Sequence, residues 1–320
     1  MLFITNRLPN QSARSKRNRS VTFNYQNTTV SQNLYFCRRN GIGDYTEITS
    51  EPFFNELKNW PDDVQLLLYI HGFNNNMEPD IFNNAEVLQR QFDRQQGNLV
   101  RVVPVIWPCD DDSPAAFIGD YWDDQDAADA SGPGFARALL KFNKWRHSQD
   151  QLLHPCFRRI NVLAHSMGNR VLVNALEHFA KKLPGGEVPQ LFRNVFMMAA
   201  DVKNEILENN QRGHHVVSSA RNTVVYYAND DFAMPASKVA NVKNMTASRR
   251  LGMTGPEHLE RLPKSVFEVD CDEFNNKFDR KGHSYFLVDG EGNPSPVIGH
   301  MAHAIKKGRV EPNQRSVILS

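Results

Sequence analysis

Apolar runs of four to eight residues alternate with longer segments of helical periodicity along most of the chain. Runs that are apolar at nearly every position are typical of strands buried on both faces of a sheet, whereas apolar residues spaced three and four apart indicate amphipathic helices. The predicted strands are Leu2–Thr5, Val21–Tyr25, Leu34–Cys37, Val64–Ile70, Val100–Trp107, Ile160–Ala164, Val195–Ala200, Thr223–Ala228 and Ser265–Val269. The predicted helices are Ile81–Arg94, Phe135–Ser148, Arg170–Leu183 and Ala302–Lys307. This alternation predicts an α/β protein with a mostly parallel central sheet and helices on both faces.

Two segments depart from the alternation. We expect one domain over residues 1–320, with an N-terminal extension that carries strands over residues 1–60 and a lid-like insertion over residues 109–134. The insertion is rich in aspartate and follows a predicted strand, where a lid or binding loop belongs in an α/β sheet. A solvent-exposed acidic helix or loop would explain the same composition. The aromatic residues of the insertion are Phe117, Tyr121 and Trp122.

The composition is that of an ordinary globular protein. Of the 320 residues, 40% are hydrophobic and 23% are charged, and the formal net charge is +1, so no overall field favours nucleic acid or an anionic membrane. The four cysteines form no C-x-x-C pair, which argues against a zinc or redox site. No apolar run approaches the roughly 18 residues of a membrane span, and the first residues lack a signal-peptide pattern. We therefore expect a cytoplasmic protein with no stable membrane insertion, nucleic-acid partner, metal or cofactor.

The stretch Ala164-His165-Ser166-Met167-Gly168 lies between a predicted strand and a predicted helix. A strand, a tight turn of small residues around a serine, and a helix are the context of a nucleophile elbow. The serine is then held at a helix N-terminus, where free N–H groups stabilise a developing oxyanion. Pentapeptides of this kind also arise by chance, so the turn alone does not establish a nucleophile.

A serine nucleophile needs a base and an acid that orients the base. In α/β hydrolases the chain order is serine, then acid, then histidine. Asp230 follows the predicted strand Thr223–Ala228, and His283 follows the last predicted strand. We predict Asp230 as the acid and His283 as the base, while the neighbouring Asp231 leaves the choice of aspartate open.

His71-Gly72-Phe73 follows an early predicted strand and has the form of an oxyanion loop. Gly72 permits a close backbone approach, and the backbone N–H groups of Phe73 and Met167 would then bind one oxyanion. His71 and His165 adjoin these donors in sequence. We expect His71, Gly72, His165 and Gly168 to support the geometry of the two turns rather than to act as bases.

These residues resemble the bacterial α/β-hydrolase family catalogued as domain of unknown function nine hundred. The motifs that carry the resemblance are His71-Gly72-Phe73-Asn74-Asn75, Ala164-His165-Ser166-Met167-Gly168-Asn169-Arg170 and Gly282-His283-Ser284-Tyr285-Phe286, with further matches at Thr5-Asn6-Arg7, Trp107-Pro108 and Arg250-Leu251-Gly252. The resemblance implies an α/β-hydrolase fold with a Ser-Asp-His triad, in which Ser166, Asp230 and His283 are nucleophile, acid and base. It implies no particular substrate, because the family itself is of undefined function.

We hypothesise a serine hydrolase that cleaves a small-molecule or lipid ester, in the manner of a carboxylesterase or lipase, through an acyl-enzyme on Ser166. Amidase or peptidase activity is an alternative. A further alternative is a non-catalytic α/β-hydrolase scaffold that binds a partner or a small ligand, because a fold does not guarantee chemistry. The sequence does not predict the acyl-chain length, the leaving group or the oligomeric state.

Overall fold

The computed structural model describes residues 1–109, 117–231, 249–280, 282–312 and 314–320. Its centre is an eleven-stranded sheet. The strands are β1 (Leu2–Arg7), β2 (Arg19–Val21), β3 (Val30–Gly41), β4 (Asp44–Glu47), β5 (Gln65–Ile70), β6 (Val100–Ile106), β7 (Ile160–His165), β8 (Phe192–Met198), β9 (Ala220–Tyr227), β10 (Val266–Asp270) and β11 (Ser316–Ile318). Their order across the sheet is β11-β10-β9-β8-β7-β5-β6-β1-β3-β4-β2.

Neighbouring strands from β11 through β1 are parallel, and the pairs formed by β3, β4 and β2 at the far edge are antiparallel. The near-continuous apolar composition of the central strands follows from burial on both faces. In β5, for example, Leu66 and Ile70 belong to one core cluster, and Leu67 and Tyr69 belong to the other. The predicted class, a mostly parallel α/β sheet covered on both faces, is confirmed.

Helices cover the two faces of the sheet. They are α1 (Ser50–Lys58), α2 (Phe82–Gln95), α3 (Phe117–Arg146), α4 (Gln149–Leu153), α5 (Gly168–Ala180), α6 (His214–Ser219), α7 (Leu251–Thr254), α8 (Asn275–Phe278) and α9 (Pro296–Lys307). Buried residues of α1, α3, α5 and α6 pack in one core cluster, and those of α2 and α9 pack in the other. None of the helices within the described ranges is both long enough and apolar enough to span a membrane.

Helix α3 begins 18 residues before the helix predicted from the sequence, at Phe117 rather than Phe135, and it continues through Pro133. The stretch Gly132-Pro133-Gly134 lies inside this helix and is a packing site. A Cβ at Gly132 would lie 2.6 Å from Cβ of Asn174, so this glycine lets α3 approach α5 closely. Within the lid-like insertion, residues 110–116 lie outside the described residues, as do the side chains of Phe117, Tyr121 and Trp122, and the lid itself stays a prediction.

The strand order reverses at β5. The chain passes from β5 to β6 on one side and then returns to place β7 on the other side of β5. In parallel sheets, ligands bind in the crevice beyond the carboxyl ends of the strands at such a switch point. The two turns that leave β5 and β7 begin at His71 and Ser166, so both predicted motifs lie at the carboxyl ends of the strands beside this switch point.

Candidate active site

Ser166 occupies the sharp turn between β7 and α5. Its φ angle is 51°, which lies in the left-handed region that non-glycine residues rarely adopt. The turn is held by backbone hydrogen bonds, because the Ser166 N–H donates to Met198 O at 2.9 Å. The buried amide of Asn169 also donates to Ala164 O at 2.8 Å and to Ser166 O at 3.1 Å. The strained strand-turn-helix geometry expected of a nucleophile elbow is therefore present.

The glycines beside the elbow are required by close packing. A Cβ at Gly168 would lie 2.5 Å from His71 O and 2.6 Å from Ile70 O, so only glycine lets α5 begin against the end of β5. A Cβ at Gly72 would lie 3.0 Å from Ser166 Cβ and 2.9 Å from His165 Nδ1. The two turns at the crevice are thus packed directly against each other, with the Gly72 backbone beside the serine.

The histidine predicted as the base meets a carboxylate, and that carboxylate belongs to Asp231. Nδ1 of His283 lies 2.6 Å from Oδ2 of Asp231, and the Asp231 side chain is fully buried while the His283 side chain is 12% exposed. Asp230 points elsewhere, with its two carboxylate oxygens accepting from the side-chain amides of Asn275 and Asn276. The carboxylate that contacts His283 is therefore that of Asp231, one residue after the predicted Asp230.

The cause of this correction is the turn that follows β9. The Asp231 N–H donates to Ala228 O at 3.4 Å, which closes a tight turn over residues 228–231. The turn directs the Asp231 side chain into the molecule and leaves Asp230 exposed. A one-residue difference reverses the direction of a side chain at a strand end, and the sequence offers aspartate at both positions.

Burial lowers the pKa of His283, but the surrounding carboxylates outweigh it, so that the pKa is raised above its ordinary value. Among the carboxylates, Asp231 has the largest effect, through both its charge and its hydrogen bond, and Asp279 and Asp201 add to it. Asp279 also accepts from the backbone N–H of His283 at 3.1 Å, which fixes the loop that carries the ring. These carboxylates therefore stabilise the imidazolium form of His283.

His165 is held neutral next to the serine. Burial lowers its pKa well below the ordinary value, and the nearby His283 lowers it further. Its Nε2 lies 3.2 Å from His283 O, and its ring centroid lies 4.8 Å from that of His283. A neutral Nε2–H donates to this carbonyl, so His165 ties the turn of Ser166 to the loop of His283, in keeping with the supporting place that we predicted for it.

His71 is also a neutral structural residue. Burial lowers its pKa to about 3. Its ring is stacked on Trp107 with centroids 4.9 Å apart, and its Nδ1 lies 2.7 Å from Gly72 O. The Trp107 indole N–H in turn donates to His71 O at 2.9 Å. These contacts fix the loop after β5 against the end of β6.

Two residues that the sequence analysis did not single out anchor the rest of this loop. The buried carboxylate of Asp124, on α3, accepts from Asn74 N at 3.2 Å and from the Cys109 thiol at 2.9 Å. Asn75 N lies 3.4 Å from Cys109 Sγ. Asp124 is one of many aspartates in an acidic stretch, so no sequence signal distinguishes it from its neighbours.

The predicted oxyanion donors lie on the two turns. Phe73 follows Gly72 on the loop after β5, and Met167 directly precedes α5 as its N-cap residue. No hydrogen bond joins the Ser166 hydroxyl to His283 in the part of the chain that the structure describes. Contacts of this kind are often long in unliganded enzymes and tighten on substrate binding. The arrangement brings a strained serine, a histidine-aspartate pair and two turns together at one crevice.

A family model that matches most of the chain agrees with this architecture. The sequence model of a family described as alpha/beta hydrolase of unknown function (DUF900) matches residues 47–292. A lipase-esterase related protein from Clostridium acetobutylicum is 10% identical, with 80% of this chain and 84% of that chain covered at a TM-score of 0.23. An endo-beta-N-acetylglucosaminidase from Cordyceps militaris is 11% identical, with 70% and 73% covered at a TM-score of 0.18. No curated protein matches the chain significantly.

Proposed function

The chain belongs to this family of α/β hydrolases of unknown function, and we propose that it is a serine hydrolase that cleaves a carboxylic ester through an acyl-enzyme on Ser166. The observation that carries the proposal is the 2.6 Å contact between His283 and the buried Asp231, at the same edge of the sheet as the strained Ser166. Serine, acid and histidine follow one another in the order that α/β hydrolases use.

In the proposed reaction, Nε2 of His283 takes the hydroxyl proton of Ser166 as Oγ forms a bond to the carbonyl carbon. The carbonyl π electrons move onto oxygen, and the tetrahedral intermediate then collapses as the alcohol departs with the proton from His283. Water repeats these steps on the acyl-enzyme, releasing the carboxylic acid and restoring the serine. Asp231 stays ionised throughout, holding the Nδ1–H tautomer and stabilising the imidazolium.

We further propose that the backbone N–H groups of Phe73 and Met167 receive the oxyanion. The close packing of Gly72 on Ser166 supports the first donor, because it brings the loop after β5 beside the reacting oxygen. The position of Met167 before α5 supports the second, because a helix N-terminus favours negative charge. Donors held in place before the reaction need no reorganisation as charge develops.

A binding scaffold gives a weaker account of the same residues. A fully buried carboxylate is costly unless it is paired, and a protein that only binds has no need to pair one with a histidine whose loop contacts the turn of Ser166. Cleavage of an amide would use the same residues, so a substrate panel has to separate ester from amide preference.

The test is covalent labelling with a fluorophosphonate probe, followed by mass spectrometry of the labelled peptide. We expect labelling of the wild type at Ser166, none in Ser166→Ala, and unchanged labelling in the matched control Ser218→Ala, whose serine is exposed on α6. On p-nitrophenyl esters of increasing chain length, Ser166→Ala should lower kcat by about 10⁶. Ester hydrolysis that persists in this variant would overturn the proposal.

A further inference from the structure

A buried ion pair lies directly behind the elbow, outside the residues used in the reaction above. Nε of Arg250 lies 3.2 Å from Oδ1 of Asp201, and the two side chains are 6% and 3% exposed. Burying two charges is costly, and removing one partner leaves the other uncompensated. Such a pair beside the elbow turn calls for an explanation beyond fold stability.

Asp201 connects the pair to the serine. Its backbone N–H donates to Ser166 O at 3.2 Å. Asp201 lies just past β8, in a segment where Ala199 has a φ angle of 43°. The segment from Ala199 to Asp201 therefore forms one wall of the elbow turn, and any shift of this segment moves the serine.

The segment Arg250-Leu251-Gly252 connects residues 199–201 to the turn that carries Asp231. Leu251 N donates to Val202 O and Gly252 N donates to Ala200 O, both at 2.9 Å. On the other side, Gly252 O accepts from Ala228 N at 3.1 Å, within the turn that places Asp231. A Cβ on Gly252 would lie 2.2 Å from the carbonyl carbon of Ala199, so only glycine allows this approach.

We propose that Arg250-Leu251-Gly252 is a positioning brace, which ties the turn of Ser166 to the turn of Asp231 and neutralises the buried charge of Asp201 beside them. The inference rests on the proposed function and adds residues that act through others. Arg250, Leu251 and Gly252 are positioning residues, since they contact Asp201 and the segments that hold the two turns.

The charge half of the brace acts on His283. The charged and titratable groups that face this ring are Asp231 from the turn after β9, Asp279 from its own loop, Asp201 from the wall behind Ser166, and His165 from the elbow. Asp201 favours the imidazolium, and Arg250, its ion-pair partner, carries the opposite charge beside it. Replacing Asp201 alone leaves the cation of Arg250 uncompensated, whereas replacing both removes the two opposing charges together.

We therefore compare Asp201→Asn with the double variant Asp201→Asn/Arg250→Gln. The pKa of His283 is read from its imidazole proton resonance by NMR in the absence of substrate, with assignment by loss of that signal in His283→Gln. Asp201→Asn should lower the pKa by about one unit, the size expected for an uncompensated charge nearby. In the double variant the pKa of His283 should return close to its wild-type value, because the two opposing charges are removed together. An unchanged pKa in Asp201→Asn, or a double variant shifted further than the single one, overturns the charge half.

The backbone half is tested by Gly252→Ala. The displaced wall should lower kcat by about 10²-fold, because a misplacement near 1 Å disturbs the reacting geometry. KM should change far less, because the brace does not touch substrate. Gly290→Ala is the matched control, because a Cβ there meets no heavy atom within 4 Å. Equal kinetics for the two glycine variants overturn this half, and so does a Gly252→Ala variant that raises KM alone.

Hydrogen exchange of the wild type tests the brace if these variants fail to fold. The amides of Asp201, Leu251, Gly252 and Ala228 should open together with one free energy, as members of one cooperative unit. Exchange of Leu251 and Gly252 much faster than that of Asp201 would overturn the brace. The NMR and exchange measurements need no turnover, so they stand apart from the fluorophosphonate test of Ser166. A brace that passes in a protein that is never labelled would refute the proposed function alone.

Discussion

At the scale of the residue, the contact between Asp231 and His283 determines what the proposed site can do. The Asp231 side chain is fully buried, so its charge acts through a medium of low dielectric and its influence on the ring is strong. A carboxylate on Nδ1 also selects the tautomer whose Nε2 is free to accept a proton. The neutral His165 holds the same loop from the other side without competing for the proton.

Asparagine substitution separates the two adjacent aspartates. Asp231→Asn should lower kcat by about 10⁴, because the amide supports the wrong imidazole tautomer. Asp230→Asn should keep kcat within about tenfold, since its partners are the exposed Asn276 and the buried Asn275 rather than the histidine. Both kcat values are measured on one p-nitrophenyl ester. A larger loss in Asp230→Asn would return the acid to the residue first predicted.

The pH dependence follows from the raised pKa of His283. The base must be neutral to accept a proton, so kcat/KM falls as the pH drops through the pKa of the free enzyme. Because that pKa is raised by Asp231, the acid limb should lie above 6.5, the ordinary value for histidine. Asp231→Asn should move the limb of its residual activity to lower pH. A wild-type limb below 6.5 would contradict the electrostatic assignment.

At the scale of the element, periodicity predicted the central strands well because their burial on both faces imposes continuous apolar runs. All nine predicted strands overlap observed ones.

The strands β4 and β11 and the helix α1 were not predicted, because β4 and β11 are short and partly polar and α1 lies in a segment read as an extension. The helix α3 was predicted only from Phe135 onward, because sequence does not reveal that Gly132 faces a neighbouring helix. The site motifs were found because tight turns require small residues at fixed positions, whereas Asp124 acts through tertiary contacts that no sequence pattern marks.

The start of α5 provides a test at this scale. Gly168→Ala would bring a Cβ to 2.5 Å from His71 O, so the helix must shift, and the free energy of unfolding should fall by about 1–3 kcal/mol. Gly299→Ala lies inside α9 with no heavy atom within 4 Å of the added Cβ, and it should gain up to about 1 kcal/mol. Urea unfolding measures both free energies. A Gly168→Ala variant as stable as Gly299→Ala would show that the elbow tolerates a side chain.

At the scale of the whole molecule, the proposed chemistry lies at the carboxyl ends of the central strands. A ladder of polar side chains lies near the amino ends of the same strands. The ladder crosses four neighbouring strands through buried amide side chains. Asn222 donates to Asn194 at 2.8 Å, Asn194 donates to Asn161 at 2.7 Å, and Asn161 donates to Gln65 at 3.2 Å. Gln65 donates in turn to Ile305 O of α9 at 3.1 Å. Amide groups buried in this way specify one register, because a shifted strand would leave them unpaired.

Breaking the middle of this ladder should cost stability while sparing the proposed chemistry. Asn194→Ala removes the donor to Asn161 Oδ1 and the 2.8 Å acceptor of Asn222 Nδ2, which keeps only a 3.4 Å bond to Gly308 O, and a buried amide group left unpaired costs about 1–3 kcal/mol. We expect the free energy of unfolding to fall by about 3 kcal/mol in urea, with kcat near that of the wild type in the folded protein because the ladder and Ser166 lie toward opposite ends of the strands. The control is Asn40→Ala, at an exposed position of β3, which should change stability by about 0.5 kcal/mol or less. An Asn194→Ala variant that keeps its stability would show that the ladder does not stabilise the fold. A variant that loses activity while fully folded would show that the two ends of the strands are not independent.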